Sequence, residues 1–227
     1  MTVVVIPSAS EGPFIMLRIL GRKNSFNVRK VLWVCGELGI PFTREDWGRG
    51  YTPTSDPEFL RLNPIGLIPC VIDDGVVLRE SNAIVRYLAS KHGGDKGPAA
   101  IYPTDLVARC TVEQWMDWAN YETSISLRGA FLGGMLNEPP WNHPWFVETG
   151  RKQITKEVGQ LEEHFARTGP YVCGAHFTLG DIPVGLVVNR WFALKFDGKP
   201  DYPAVARYFE KLSERAPYRE HVRNGLP

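Results

Sequence analysis

Residues 63–88 constrain the fold most, because they place a predicted hairpin between a proline-ended loop and a helix. The stretch reads NPIGLIPCVIDDGVVLRESNAIVRYL. Asp74 and Gly75 separate the apolar runs PCVI and VVLR, and an Asp-Gly pair supplies the positive-φ residues of a tight turn. The sequence therefore predicts two short antiparallel strands, followed from Ser81 by a helix whose apolar residues recur at helical spacing.

A strand, a helix and a second strand are predicted upstream. The run FIMLRIL, 14–20, is typical of an apolar strand, residues 28–38 are apolar at helical spacing, and PFTREDW, 41–47, alternates like a strand. A βαβ unit of this kind has a right-handed crossover, so its two strands should be parallel. SDPEFLRL, 55–62, predicts a short helix opened by a cap and a proline.

The rest of the chain shows only helical patterns. The glycine-rich HGGDKGPAA, 92–100, predicts a domain boundary. Thr104 is predicted to cap the first long helix beyond it. We expect an N-terminal arm over 1–13, an α/β domain over 14–92, a linker over 93–103 and an all-helical domain over 104–227.

The segment TLGD, Thr178 to Asp181, matches a capping box near the start of a later helix. In such a box the hydroxyl and the carboxylate satisfy each other's backbone donors. This interpretation assigns Asp181 to folding and not to catalysis. As a helix cap, Asp181 is predicted to contribute about 1–2 kcal/mol to stability.

Composition limits the partners of this chain. Its 227 residues are 44% hydrophobic with a formal net charge of +1, so it can bury a core but has no broad field to attract nucleic acid or an anionic membrane. Four cysteines without CxxC or metal-ligand spacing indicate a reducing cytoplasm, and five scattered histidines predict no metal site. The opening run MTVVVI is too short for a signal peptide or a membrane span.

Four motifs together resemble those of the cytosolic glutathione transferases, in particular bacterial, theta-like members of the serine or asparagine type. They are GRKNSFNVRKVLW, FLRLNPIGLIP, VVLRESNAIVRYLA and TLGDI, and the resemblance covers residues 15–90 and 104–216. It implies a thioredoxin-like α/β N-terminal domain with a cis-proline at Pro69, plus an all-α C-terminal helical domain. It also implies a cytoplasmic homodimer that uses glutathione as co-substrate in detoxification.

The resemblance assigns glutathione-binding roles to residues of the stretch 63–88. The backbone N–H and C=O of Ile68, next to Pro69, would pair with the cysteinyl unit as a sheet edge receives an extended peptide. Glu80 would pair with the γ-glutamyl ammonium, and Ser81, at a helix start, would bind the γ-glutamyl carboxylate. Alternatively, Ser81 only caps its helix and Glu80 is a solvated charge.

Recognition of the glycyl carboxylate departs from the family pattern. Members often carry Gln or Lys in the loop before the second helix or just before the cis-proline, where this chain has Leu67 and Ile68. Arg49, Tyr51 and Thr52 are candidate substitutes. The sequence does not choose among these three.

Activation of the glutathione thiol requires a group that favours the thiolate, because a free thiol has a pKa near ~8.5. Ser25, after the loop GRKN, resembles the catalytic serine of theta-like members, and several bacterial groups use Asn or Thr in this loop, where Asn27 stands. We favour Ser25 with Asn27 as its helper, although both residues could be ordinary helix caps. The loop has no tyrosine or cysteine, which disfavours tyrosine-type activation and thiol-transferase chemistry.

An aromatic stripe, Trp115, Trp118 and Tyr121, recurs at helical spacing in the first long helix of the second domain. In the resembled family this helix lines one wall of the electrophile site, which makes Trp118 and Tyr121 candidates for that wall. The alternative is that the stripe is plain core.

Three functions are compatible with these residues. The first is an enzyme that conjugates glutathione to an apolar electrophile or uses it to reduce an organic peroxide. The second is a non-catalytic protein that carries glutathione or hydrophobic ligands on the same fold. The third is an interaction module, which the joint presence of Ser25, Pro69, Glu80 and Ser81 disfavours.

Overall fold

The structure is a computed structural model that describes residues 16–94 and 100–225. Contacts divide the chain into two compact units, Met1–Gly94 and Asp95–Pro227, called here the sheet unit and the helical unit. The predicted arm over 1–13 lies outside the described residues.

The sheet unit contains one four-stranded mixed sheet with the strand order β2-β1-β3-β4. Strands β1 and β2 are parallel, whereas β3 is antiparallel to both β1 and β4. The predicted βαβ unit and hairpin are therefore confirmed. The elements are β1 (Leu17–Leu20), α1 (Phe26–Leu38), β2 (Phe42–Glu45), α2 (Pro57–Leu62), β3 (Cys70–Asp73), β4 (Val76–Arg79) and α3 (Ser81–His92).

Strand β1 is shorter than predicted. It begins at Leu17, because pairing with β2 starts there opposite Phe42. Met16 precedes the strand as irregular chain, and residues 14 and 15 lie outside the described residues.

The hairpin between β3 and β4 has the turn chemistry that its sequence requires. Asp74 has φ 49° and Gly75 has φ 78°, so both central residues adopt the left-handed region that two-residue hairpin loops favour. Helix α3 is tied to this turn, since Lys91 Nζ lies 2.6 Å from Asp73 Oδ2 and 2.7 Å from Asp74 Oδ2. These two ion pairs join the C-terminal end of α3 to the turn.

The four cysteines are free thiols in different environments. Burial raises the pKa of Cys35 to about 12 and that of Cys70 to about 11. Cys173 is half-buried and its pKa is raised to about 11, again mainly by burial, whereas Cys110 is exposed. Three of the four sulfurs are therefore held as neutral thiols at physiological pH.

The helical unit has no β-strand within residues 100–225, which confirms the predicted all-α class. A π-helical segment and the short last helix were not predicted. No helix in the described ranges is both long and apolar enough to span a bilayer. The elements are α4 (Leu106–Leu127), the π segment (Arg128–Gly133), α5 (Pro144–Phe165), α6 (Asp181–Ala193), α7 (Pro203–Ser213) and α8 (Ala216–His221).

Helix α5 crosses the end of α4 at very short range. A Cβ on Gly150 would lie 2.5 Å from the Ala130 backbone nitrogen, 2.7 Å from the Ser126 carbonyl oxygen and 2.8 Å from Gly129 Cα. These neighbours are all main-chain atoms, which cannot rotate away. The crossing therefore depends on glycine at position 150.

The predicted cap of α4 is wrong by one residue. Asp105, and not Thr104, is the N-cap, and its carboxylate accepts hydrogen bonds from the Val107 and Ala108 N–H groups at 3.1 and 2.9 Å. A cap must immediately precede the first helical residue for its side chain to reach the N2 and N3 donors. Leu106 is that first residue.

The capping box before α6 is half realised. The Asp181 carboxylate accepts from the Thr178 N–H at 2.8 Å, as predicted. The Thr178 hydroxyl, however, donates to the same carboxylate at 3.3 Å and does not accept from the Asp181 N–H, which bonds the Thr178 carbonyl. Asp181 also accepts from the Val172 N–H at 2.9 Å and the Tyr208 hydroxyl at 3.1 Å, so it joins three separate segments.

Candidate functional site

The N-terminus of α1 presents two polar side chains that do not cap the helix. Ser25 is the N-cap residue by position, but its side chain makes no capping hydrogen bond. Asn27 Oδ1 instead accepts a hydrogen bond from Ser81 Oγ at 3.2 Å. The interpretation of these two residues as ordinary caps is therefore wrong, and both remain candidates for ligand contact.

The N-terminus of α3 has an unusual backbone. Glu80 has φ 66° and ψ 108° and is exposed, a left-handed conformation that is uncommon for a residue with a Cβ. Ser81 follows as the first helical residue, and its hydroxyl bonds Asn27 and Lys30, not its own helix. The alternative in which Ser81 merely caps α3 is therefore wrong.

Lys30 is a site residue that the sequence analysis missed. It lies in α1 with no exposed surface. Its Nζ donates to Ser81 Oγ at 3.3 Å and to Asn82 Oδ1 at 3.2 Å, and lies 5.2 Å from the centroid of the Phe26 ring. The signal in the sequence is a pair of basic residues, Arg29 and Lys30, within the otherwise apolar run 28–35.

The loop before β3 is held by a buried asparagine. Asn63 Nδ2 donates to the Leu67 carbonyl at 2.7 Å, and its Oδ1 accepts from the Ile65 N–H at 3.2 Å. The Ile68–Pro69 peptide bond that follows is cis. Within the described ranges, no hydrogen bond engages the backbone N–H or C=O of Ile68, so both groups can receive an extended peptide.

The loops around Ile68 bring the other candidates to the same edge of the sheet unit. A Cβ on Gly21, at the start of the loop that carries Ser25, would lie 3.2 Å from Ile68 Cβ. A Cβ on Gly48 would lie 3.2 Å from Ile68 Cδ1.

The loop after Gly48 carries the three candidates for the glycyl end. It closes through hydrogen bonds from the Gly48 N–H to the Thr52 carbonyl at 2.8 Å and from the Tyr51 N–H to the Gly48 carbonyl at 2.9 Å. Arg49, Tyr51 and Thr52 are all exposed on it. All three candidates therefore lie on the loop that follows Gly48, which is the residue shown to approach Ile68.

Positive charge accumulates around the first turns of α1. Arg29 is buried, and its pKa is lowered to about 10 by that burial and by the charge of Arg22, so it stays protonated at neutral pH. Lys30 adds a second buried basic group, and the first turn of α1 contains no acidic residue. Together with the helix dipole, these groups favour an anion at the N-terminus of α1.

Comparisons with known proteins agree with this geometry. A model of the glutathione S-transferase N-terminal domain matches residues 24–91, and a model of the C-terminal domain matches residues 146–216. Glutathione S-transferase GstB of Escherichia coli (strain K12) is 32% identical over 209 residues, which are 91% of this chain and 98% of that protein. This chain belongs to the glutathione S-transferase family.

Two further similar proteins are a solved glutathione S-transferase structure and a dehalogenase. A theta-class glutathione S-transferase from Xanthomonas axonopodis pv. citri, solved with glutathione bound, superposes with a TM-score of 0.83 at 32% identity, covering 93% of this chain and 99% of that one. Dichloromethane dehalogenase of Methylorubrum extorquens is 29% identical over 88% of this chain and 72% of that protein. The transferase fold is therefore established for this family member.

Helix α4 of this transferase chain carries the predicted electrophile-site residues on its surface. Trp118 is half-buried and meets Trp115 edge-to-face at 5.6 Å, whereas Tyr121 is 79% exposed. The buried face of α4 is formed by other residues, so Tyr121 is not core, whereas Trp115 packs within the helical unit against His164 at 4.5 Å. A role for Trp118 and Tyr121 at an electrophile site remains a prediction. The buried residues of α4 are Val112, Met116, Ala119, Thr123, Ser126 and Leu127.

Proposed function

We propose that this protein is a glutathione transferase that activates the glutathione thiol and conjugates it to an apolar electrophile or uses it to reduce an organic peroxide. The observation that carries the proposal is the N-terminus of α1, where Ser25 and Asn27 are released from capping in a positively charged setting. Membership of the glutathione S-transferase family supports the same function. The relative named dichloromethane dehalogenase is compatible with a small carbon electrophile.

In the proposed complex, each part of glutathione meets a complementary group. Glu80, exposed beside α3, pairs with the γ-glutamyl ammonium. The backbone N–H groups of Ser81 and of the next residues of α3 hold the carboxylate, because the Ser81 hydroxyl proton goes to Asn27 Oδ1. The cysteinyl unit pairs with the backbone of Ile68, next to the cis-proline Pro69. The glycyl carboxylate meets the loop that carries Arg49, Tyr51 and Thr52.

The reaction then needs only a stabilised thiolate and an aligned second substrate. Ser25 Oγ and Asn27 Nδ2 donate hydrogen bonds to the sulfur, which lowers its pKa, and the thiol proton leaves to water. The sulfur forms a bond to the electrophilic carbon, and the leaving group departs with its electron pair. With a peroxide, the sulfur attacks the terminal oxygen, the O–O bond breaks to give glutathione sulfenic acid, and the alkoxide leaves and takes up a proton to become the alcohol. A second glutathione thiol then attacks the sulfenic sulfur, which forms glutathione disulfide and releases water. No covalent bond to the protein is required.

The proposed activation is tested by titrating the thiolate absorbance of bound glutathione in the wild type, Ser25→Ala and Asn27→Ala. We expect the bound thiol to titrate about one to two pH units below its free value, because each charge-assisted hydrogen bond favours the anion. The variant that returns the pKa toward the free value identifies the main activator. If bound glutathione titrates as it does in water, the protein is instead a non-catalytic carrier. If glutathione does not bind, both functions are wrong.

We also propose a homodimer that acts in the cytoplasm, in the detoxification of electrophiles. Helix α4 supports association, because Val107, Tyr121 and Ile125 are 76%, 79% and 67% exposed on it, and such apolar surface is typical of an interface. Sedimentation equilibrium should therefore give a mass twice the 25.6 kDa of the chain. A mass equal to that of one chain would contradict the dimer.

A further inference from the structure

Lys30 occupies the interior end of a hydrogen-bonded chain that joins α1 to α3. Its ammonium donates to Ser81 Oγ at 3.3 Å, and Ser81 Oγ lies 3.2 Å from Asn27 Oδ1. Lys30 has no exposed surface and Ser81 is only 6% exposed, while Asn27 is half-buried. The chain therefore runs from a buried cation toward the partly exposed amide of Asn27.

The Lys30 ammonium determines which group donates and which accepts in each of these hydrogen bonds. A lysine ammonium has three donors and no acceptor, so Ser81 Oγ must accept from it. The single Ser81 proton then goes to Asn27 Oδ1. If the Asn27 amide were reversed, Ser81 Oγ would accept hydrogen bonds from both Lys30 Nζ and Asn27 Nδ2. The Ser81 proton would then need a third partner as acceptor, and the described residues provide none.

With Asn27 Oδ1 bonded to Ser81, Asn27 Nδ2 is the end of the amide that remains for a ligand. This nitrogen donates to no residue in the described ranges. An amide NH2 group can only donate hydrogen bonds, and it therefore binds an acceptor such as an anionic sulfur.

We propose that Lys30 is a positioning residue that fixes the direction in which Asn27 presents its donors to the glutathione sulfur. This inference rests on the proposed function, because the sulfur and the γ-glutamyl carboxylate are the ligands it invokes. Lys30 does not touch the sulfur in this scheme. It acts through Ser81 and Asn27.

The charge of Lys30 should also affect binding of an anion at the N-terminus of α3. Its ammonium also donates to Asn82 Oδ1 at 3.2 Å, so a positive charge lies against the N-terminal turn of α3. A cation at the positive end of a helix dipole is unfavourable until an anion arrives there. The γ-glutamyl carboxylate is that anion in the proposed complex, so Lys30 should raise affinity for it.

Lys30→Met tests both consequences, because methionine fills much of the buried volume without a charge or donor. We expect the dissociation constant for glutathione to rise about tenfold, as one charge-assisted interaction is lost. The analogue γ-aminobutyryl-cysteinylglycine lacks the γ-glutamyl carboxylate, and at a pH below the pKa of the bound thiol its affinity should be equal in wild type and Lys30→Met. The matched control is Lys91→Met, which removes a lysine at the other end of α3 and should leave glutathione affinity unchanged.

A double-mutant cycle with Asn27→Ala isolates the positioning role. In the wild-type background, Lys30→Met should raise the pKa of the bound thiol by about one unit, because Asn27 loses its fixed orientation. In the Asn27→Ala background, the same change should raise that pKa much less, because only the loss of the Lys30 charge remains. An equal rise in both backgrounds, or no rise in either, would overturn the inference.

Failure of this inference is distinguishable from failure of the proposed function. Wild-type protein that binds glutathione and lowers its thiol pKa supports the function whatever Lys30→Met does. Wild-type protein that does neither refutes both. If Lys30→Met does not fold, as judged by circular dichroism, Lys30→Gln is put through the same cycle. Its amide has no charge and, unlike an ammonium, can also accept the Ser81 proton, so it should raise the thiol pKa more in the wild-type background than in the Asn27→Ala background and should weaken glutathione binding.

Discussion

Asp181→Ala is expected to lower the free energy of unfolding by about 4 kcal/mol, because four buried donors lose their acceptor at once. The carboxylate is wholly buried and accepts from the Val172 and Thr178 N–H groups and from the Tyr208 and Thr178 hydroxyls. The cost exceeds the 1–2 kcal/mol predicted for a helix cap, since three segments depend on one side chain. Denaturant unfolding measures it, and activity per folded molecule should be unchanged.

Asp105→Ala is the matched control for this substitution. Asp105 caps α4 through two N–H groups but is exposed, so water replaces its carboxylate and about 1 kcal/mol is expected. Equal losses for Asp181→Ala and Asp105→Ala would show that burial of Asp181 contributes nothing.

The loss caused by Asp181→Ala should also depend on pH. Burial raises the pKa of Asp181 to about 6 in the folded protein, compared with about 3.9 in an unfolded chain. Folding therefore favours the protonated form, and this contribution to stability is complete below about pH 4 and is lost as the pH rises through 6. The difference between wild type and variant should be about 1 kcal/mol larger at pH 5 than at pH 8.

Gly150→Ala is expected to lower the free energy of unfolding by about 3 kcal/mol, through overpacking. Its Cβ would lie 2.5 Å from the Ala130 nitrogen and 2.7 Å from the Ser126 carbonyl oxygen. Relief requires α5 to move away from the end of α4, which sacrifices contacts along both helices. The melting temperature should fall by roughly 6–12 °C.

Gly159→Ala, on the same helix, is the control for Gly150→Ala. Both substitutions gain about 1 kcal/mol of helix propensity, but the Gly159 Cβ would meet only the Tyr202 hydroxyl, at 3.0 Å. That hydroxyl donates to the Thr155 carbonyl at 3.0 Å, so a small shift of one side chain weakens one hydrogen bond and offsets the gain in propensity, and the melting temperature should change little. Melting temperatures that fall equally for the two variants would contradict the role assigned to the helix crossing.

Much of the sheet unit could be predicted because its signals are local. The Asp74-Gly75 pair specifies a turn by backbone conformation alone, and the strands on either side follow from it. The parallel pairing of β1 with β2 follows from the handedness of a βαβ crossover. The positions of Ser25 and Ser81 at helix starts were likewise predictable from residue type and periodicity.

The features that were missed depend on contacts between distant residues. Lys30 has the residue type of a solvated charge, and the hydrogen bonds that accompany its burial reach Ser81 and Asn82, more than 50 positions away. The π segment, Arg128–Gly133, has a wider turn than an α-helix, with hydrogen bonds from residue i to i+5. The spacing of apolar residues typical of an α-helix therefore does not apply there. Gly129 in this segment contacts Gly150 of α5 where the two helices cross. The spacing of residues in the sequence does not indicate that contact.

The environments of the cysteines have a consequence for an enzyme that handles reactive carbon compounds. The neutral thiols of Cys35, Cys70 and Cys173 are poor nucleophiles, since alkylation requires the thiolate. Glutathione held near α1 would therefore react before these three sulfurs do. The protein is thereby protected against inactivation by its own substrates, and exposed Cys110 is the one cysteine left open to such damage.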